Sequence, residues 1–178
     1  MKLKVGTRGS KLALAYAERV CSEISHETEI VIIKTEGDLN TDVPIHKIGG
    51  KGVFCSAIEN ELLEENIDIA VHSLKDMPGE EHPDLIIAAM LKRNSPHDVI
   101  IGSVGYGCTI GTSSPRRTAQ LKELYGNLDI KIKPIRGNID TRLEKLDAGE
   151  YDAIVLAEAG LKTLDIRRTW IKIPTIPA

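Results

Sequence analysis

The sequence predicts an α/β fold of two small lobes, each a mostly parallel sheet flanked by helices. Three observations predict it. Short β-branched runs, of which Ile30-Val31-Ile32-Ile33 is the clearest, alternate with stretches of 3.6-residue apolar periodicity on short connections. That is the pattern of a parallel sheet covered by helices. A cluster of breakers, Gly102-Ser103-Val104-Gly105-Tyr106-Gly107, interrupts the alternation, which then restarts. Finally, 178 residues, 42% of them apolar, suffice for two small cores without covalent staples. The expected lobes are 1–103 and 104–178.

In the first lobe, residues 2–5 read as a strand that runs into Gly6-Thr7-Arg8-Gly9-Ser10. Ser10 suits a helix N-cap, and Leu12, Leu14, Ala15, Val20 and Ile24 then recur at helical spacing. Residues 29–35 read as a buried parallel strand. A polar loop over 36–44 and the turn Ile48-Gly49-Gly50-Lys51-Gly52 precede a helix over 53–65, with Phe54, Ile58, Leu62 and Leu63 inward. Residues 67–72 and 84–91 read as strands, and 97–102 completes the lobe. The second lobe is expected to place strands at 108–111, 129–133 and 153–156. Its helices are expected at 114–125 and 138–149, with a last one following residue 156 through Leu164.

Composition excludes several classes. No apolar run approaches the roughly 18 residues of a membrane span, and the charged N-terminus lacks the apolar region of a secretory signal. An aromatic content of 3% leaves no stacking platform for nucleic-acid bases. Cys21, Cys55 and Cys108, odd in number and far apart, match neither a disulfide framework nor a zinc pattern. A reducing cytoplasm is the expected location, with the cysteines as small core hydrophobes. No metal site is expected, and His72 reads as a strand-end core histidine with its ring hydrogen-bonded.

Charge is unevenly spread. Residues 112–146 carry eight Lys/Arg against four Asp/Glu in a chain of net charge −3. The basic residues fall at predicted helix starts: Arg8; Arg116 and Arg117 behind Gly111-Thr112-Ser113-Ser114-Pro115; and Arg136 and Arg142 around Gly137-Asn138. A cation there opposes the helix dipole, so five such arginines suggest a receptor for carboxylate or phosphate, against the plainer reading of capping plus surface arginines. Their placement at helix starts, not along one stripe, argues against nucleic acid. Gly49-Gly50-Lys51-Gly52 lacks the spacing of a phosphate loop. The strand before Ser73 delivers Ser73, Lys75 and Asp76 to its carboxyl end, where ligands of open α/β sheets bind. Asp76 could hold an N–H group or stabilise a developing cation, or simply pair with an arginine.

Taken in order, several segments resemble the porphobilinogen deaminase (hydroxymethylbilane synthase) family. They are Gly6-Thr7-Arg8-Gly9-Ser10-Lys11-Leu12, Ile48-Gly49-Gly50-Lys51-Gly52-Val53-Phe54, His72-Ser73-Leu74-Lys75-Asp76-Met77-Pro78, Gly111-Thr112-Ser113-Ser114-Pro115-Arg116-Arg117, Ile135-Arg136-Gly137-Asn138-Ile139-Asp140-Thr141-Arg142 and Gly149-Glu150-Tyr151-Asp152-Ala153-Ile154. The resemblance implies a cytoplasmic transferase of tetrapyrrole (heme) biosynthesis. It deaminates porphobilinogen and joins four units into hydroxymethylbilane on a dipyrromethane cofactor.

Matching positions imply that Asp76 is catalytic, at the pyrrole N–H of an azafulvene-like species. They imply that Arg8, Ser10, Ser73, Lys75, Thr112, Ser113, Ser114, Arg116, Arg117, Arg136, Gly137 and Arg142 hold cofactor or substrate carboxylates, with Lys51 and Phe54 in a loop over the cleft. The first lobe would then carry the catalytic aspartate, the second the carboxylate clamp, with the ligand cleft between them. The family has three domains, and the cysteine that anchors the cofactor belongs to the third. None of Cys21, Cys55 or Cys108 has a matching context, so the chain is expected to lack that domain, which a separate chain could supply. Otherwise a monomer is expected. Pro115, Tyr16 and Glu158 depart from the family pattern. An alternative is a non-catalytic intracellular binder of an oligopyrrole or other polycarboxylate, since two lobes with an anion cleft also describe periplasmic-binding-protein architecture.

Overall fold

A computed structural model describes residues 2–35, 55–80 and 82–174. The chain divides into two compact units, Met1–Lys92 and Arg93–Ala178. In the first, β1 (Leu3–Thr7) leads to α1 (Lys11–Glu23) and β2 (Thr28–Ile32); α2 (Ser56–Leu63) leads to β3 (Ile69–Ala70) and a 3-10 turn, Leu74–Asp76. The sheet order is β2-β1-β3, all parallel, with Val5 opposite both Ile30 and Ile69. Central β1 buries Val5 and Thr7 completely, and Ala17 of α1 and Ile58 of α2 cover it.

The second unit holds β4 (Asp98–Gly102), β5 (Thr109–Gly111), α3 (Pro115–Tyr125), β6 (Lys131–Lys133), α4 (Ile139–Asp147), β7 (Ala153–Ala157), α5 (Glu158–Thr163) and β8 (Ile171–Lys172). Its sheet order is β6-β5-β7-β4-β8. The β6, β5 and β7 strands are parallel; β4 runs antiparallel between β7 and β8. One sheet face packs Val99, Ile101, Ile154 and Leu156 against Leu143 and Leu161. The other packs Ile100, Ile110, Ala153 and Val155 against Leu121. The alternation of inward residues to both faces is why these strands read as continuous apolar runs.

The α/β class and the parallel-dominated sheets agree with the sequence, but several details differ. Residues 97–102, expected in the first lobe, supply β4 of the second sheet. The expected boundary at 103/104 therefore falls inside the second unit, where the breaker cluster only turns the chain from β4 to β5. Residues 84–91 form no strand: Ile86 and Met90 are 85% and 70% exposed, and without a ladder partner strand propensity leaves the backbone unpaired. The β2 strand, expected to be buried, lies at the edge of the sheet among the described residues, with Ile32 57% exposed. Leu63, expected inward, is exposed at the end of α2. The Gly49–Gly52 turn, Lys51 and Phe54 lie outside the described residues. No helix among the described residues is long and apolar enough to cross a membrane.

Candidate functional site

In the first unit the polar residues gather at the carboxyl ends of β1 and β3. Thr7 ends β1, and Arg8 and Ser10 occupy the turn into α1. Ser10 is the N-cap: its Oγ accepts from the Ala13 N–H at 3.3 Å, satisfying one of the helix's orphan donors. Beyond β3, the Asp76 N–H donates to the Ser73 carbonyl at 2.9 Å and closes the 3-10 turn. That turn exposes Lys75 and leaves Asp76 half-buried. Arg8, Ser73 and Asp76 line, with Tyr16, Val71 and His72, a cavity of about 30 Å³.

The surroundings of this cavity are acidic as well as basic. The Cys55 Sγ–H donates to the Asp76 carbonyl at 3.1 Å. Burial, then Glu59 and Asp76, push the Cys55 thiol up to about 11, with Arg8 acting the other way. Burial holds His72 below its usual range. Its Nε2 is buried with no hydrogen-bond partner among the described residues, so the satisfied ring expected from sequence is not found at that atom.

In the second unit the arginine-bearing helix starts assemble on β5 and β6. Ser114 is the N-cap of α3, its Oγ accepting from the Arg117 N–H at 3.4 Å, and Pro115 follows at the first helical position. Thr112 is buried and its Oγ1 accepts from the Ser114 N–H at 3.2 Å. The Ser113 hydroxyl donates to the Ile135 carbonyl at 2.8 Å and accepts from the Ile135 N–H at 3.1 Å. One serine therefore ties the two arginine-bearing loops together. Gly137, before the α4 N-cap Asn138, has φ +108°, and a Cβ there would lie 2.8 Å from Thr141 side-chain carbons. Only glycine fits this bend.

Sequence reasoning missed Asp98. Its buried carboxylate accepts from Arg117 at 2.6 Å and from Arg116 at 2.7 Å, while Arg117 also donates to the Val155 carbonyl at 3.1 Å. Burial raises the Asp98 carboxyl, but the two guanidiniums outweigh it and hold it below the usual range. A lone acid opening the apolar run Asp98-Val99-Ile100-Ile101 is the signal that could have found it. Arg117, 12% exposed, is thus an ion-paired residue; Arg116, 40% exposed, retains an open side.

Arg142 donates to the Gly137 carbonyl at 2.8 Å. Burial, and then the nearby Arg117 and Arg136 guanidiniums, lower its pKa, so basic side chains cluster here. Such a cluster suits a ligand bearing two or more carboxylates, each able to accept a planar pair of N–H bonds. Glu158 does not oppose it. The Glu158 carboxylate is buried, accepts a short hydrogen bond from Ser95, and meets Lys162 at 3.2 Å and Lys172 at 3.5 Å. These partners, Ser95 first, hold it down to about 2.

Residues 3–177 match the family model described as porphobilinogen deaminase, dipyromethane cofactor binding domain. A protein of Archaeoglobus fulgidus named "Probable porphobilinogen deaminase" is 48% identical, over 94% of this chain and 61% of its own length. The porphobilinogen deaminases of Ehrlichia chaffeensis and Ehrlichia canis are 49% and 47% identical, each over 90% of this chain and 57% of their own length. The chain thus spans about three fifths of the length of these curated relatives. Among solved structures, the second substrate-binding domain assigned to an amino acid ABC transporter of Streptococcus pneumoniae is similar at TM-score 0.51 and 12% identity. It is covered over 81% of its length by the whole of this chain. That likeness bears on fold alone, and agrees with the two-unit α/β architecture.

Proposed function

The chain belongs to the porphobilinogen deaminase family, and from that premise we propose that it is the substrate-binding and acid-bearing part of a hydroxymethylbilane synthase. The observation that carries the reading is the tie made by Ser113 to the Ile135 N–H and carbonyl, which brings the Arg136 and Arg142 loop beside the Arg116 and Arg117 helix start. A basic cluster of this kind suits an anionic ligand, and an oligopyrrole with acetate and propionate side chains is a polyanion. Arg136, Arg142 and the open side of Arg116 are the clamp, and Asp98, Ser113 and Gly137 position it. Thr112 and Ser114 frame the α3 start beside the clamp; in the first unit Arg8 and Ser10 frame the α1 start and Lys75 lies in the 3-10 turn, as further carboxylate contacts.

In the first unit, Asp76 shares its cavity with Arg8 and Ser73. As the aminomethyl C–N bond of porphobilinogen breaks and ammonia leaves, positive charge develops on the pyrrole. Asp76 accepts the ring N–H and stabilises that charge while the methylene bonds to the next pyrrole, whose displaced proton passes to solvent. Dipyrromethane, when bound, supplies the pyrrole that the first unit joins. The arginines and serines above suit its carboxylates. Cys55 and Cys108 are buried and Cys21 sits within α1, so no thiol here is assigned as its anchor. Work in a reducing cytoplasm as a monomer completes the reading.

Binding of a preformed oligopyrrole polycarboxylate to this chain, followed by calorimetry, tests the clamp. Arg136→Gln and Arg142→Gln should each weaken it by about 1.5–3 kcal/mol, the worth of a charged hydrogen bond. Unchanged affinity in both would overturn the assignment. In a full-length enzyme completed with the remaining sequence of a relative, Asp76→Ala should abolish ammonia release from porphobilinogen and leave oligopyrrole binding intact. Undiminished turnover would remove Asp76 from the chemistry.

A further inference from the structure

We propose that Cys55, Glu59 and His72 form a three-ligand site for one divalent transition-metal ion of the zinc class. Cys55 is the N-cap of α2 and Glu59 lies four residues on, so the two stand one turn apart on the same helix face. His72 comes to them from the segment behind β3. One donor atom from each of the three lies within 4.8 Å of the other two. Tetrahedral bonds of about 2.0–2.3 Å place ligand atoms about 3.5 Å apart, a closure of roughly 1 Å that side-chain rotation supplies.

A second observation points to a ligand. The His72 Nε2 is buried without a hydrogen-bond partner among the described residues, which natural structures rarely leave unexplained. The three donors differ in kind, a thiol, an imidazole and a carboxylate, and an ion at the site would supply the positive charge that displaces the thiol proton. Thiolate, imidazole and carboxylate together are the donor set of zinc-class ions, and three protein ligands leave a fourth position for water.

The binding step balances simply. The ion bonds to Sγ, to a His72 ring nitrogen and to a Glu59 oxygen, and the thiol proton leaves to solvent with no change of oxidation state. Sγ then no longer donates to the Asp76 carbonyl, so occupancy of the site reaches the turn that carries Asp76.

Titration with cobalt(II) alone tests this, independently of any turnover. One equivalent should produce a near-ultraviolet thiolate-to-cobalt charge-transfer band and visible bands of tetrahedral intensity, displaced by zinc. Cys55→Ala should lose the charge-transfer band, whereas Cys21→Ala and Cys108→Ala keep it. His72→Gln and Glu59→Gln should each weaken cobalt binding by about tenfold or more, and they decide the matter if the Cys55 variant does not fold. Absence of the band in the unmodified chain, its survival in folded Cys55→Ala, or unaltered affinity in both ligand variants would overturn the proposal.

Discussion

Replacing Asp98 with alanine is the perturbation whose outcome the structure specifies most closely. The Asp98 carboxylate, 5% exposed as a residue, accepts charged hydrogen bonds of 2.6 and 2.7 Å. Its two partners differ. Arg116 is 40% exposed, so water can replace the lost contact, and an exposed pair contributes about 0–1 kcal/mol. Arg117 is 12% exposed and would be left a buried charge with only the Val155 carbonyl. Breaking a buried pair from one side costs about 3–5 kcal/mol. The expected loss is therefore about 3–6 kcal/mol, a large share of a domain's usual 5–15 kcal/mol.

The assay is built into the chain. Trp170 is the single tryptophan and packs against the core of the second unit, so its fluorescence during urea unfolding reports that unit. Acid gives a second readout. Since the folded carboxyl lies below its ordinary 3.8, the pair's contribution is fully present above that value and lost as pH falls through the folded pKa. The gap between wild type and Asp98→Ala should therefore close in acid. A polycarboxylate such as citrate should stabilise the variant more than the wild type, because two guanidiniums lose their internal partner. A destabilisation under about 1 kcal/mol at pH 7 would refute the view of Arg117 as a committed ion-pair residue.

Three further outcomes are expected. Gly137→Ala forces a Cβ at φ +108° into Thr141, and urea unfolding should show a loss of about 1–3 kcal/mol, with weaker oligocarboxylate binding because Arg136 is adjacent. Ser114→Ala removes the cap of α3 and should cost about 1 kcal/mol in the same assay; no change would mean water replaces the hydroxyl. Glu158→Gln should alter the acid limb: the wild-type contribution is present above about 4.5 and lost as pH falls toward about 2, so the variant's urea midpoint should decline less across that window. Parallel declines would show that Ser95, Lys162 and Lys172 do not hold the carboxylate as the geometry implies.

The parts that were legible in sequence are local ones. Ser10, Ser114 and Pro115 announce helix starts because a cap is a bond between residues two or three apart. Runs such as Ala153-Ile154-Val155-Leu156 announce a buried parallel strand because both faces must be apolar. The five arginines at helix starts were visible because a cation there opposes the helix dipole and asks for a reason.

What escaped is non-local. Asp98 meets Arg116 and Arg117 across 18 and 19 residues, in a strand whose own sequence says only that it is buried. Residues 84–91 have the composition of a strand, but a strand exists only where a neighbour supplies the ladder. The Cys55, Glu59 and His72 grouping likewise depends on a helix face and a strand end meeting.

By itself, then, the sequence determined the α/β class, the helix caps, the basic helix starts and the family resemblance. All of these rest on interactions within a few residues or on residue types in order. Only the tertiary structure decided where one unit stops and the next begins, that β4 runs antiparallel inside the second sheet, and that Arg116 and Arg117 share Asp98 while only Arg116 keeps an exposed side. Those outcomes depend on pairing between distant segments, where partner choice is set by burial and charge neutralisation in three dimensions.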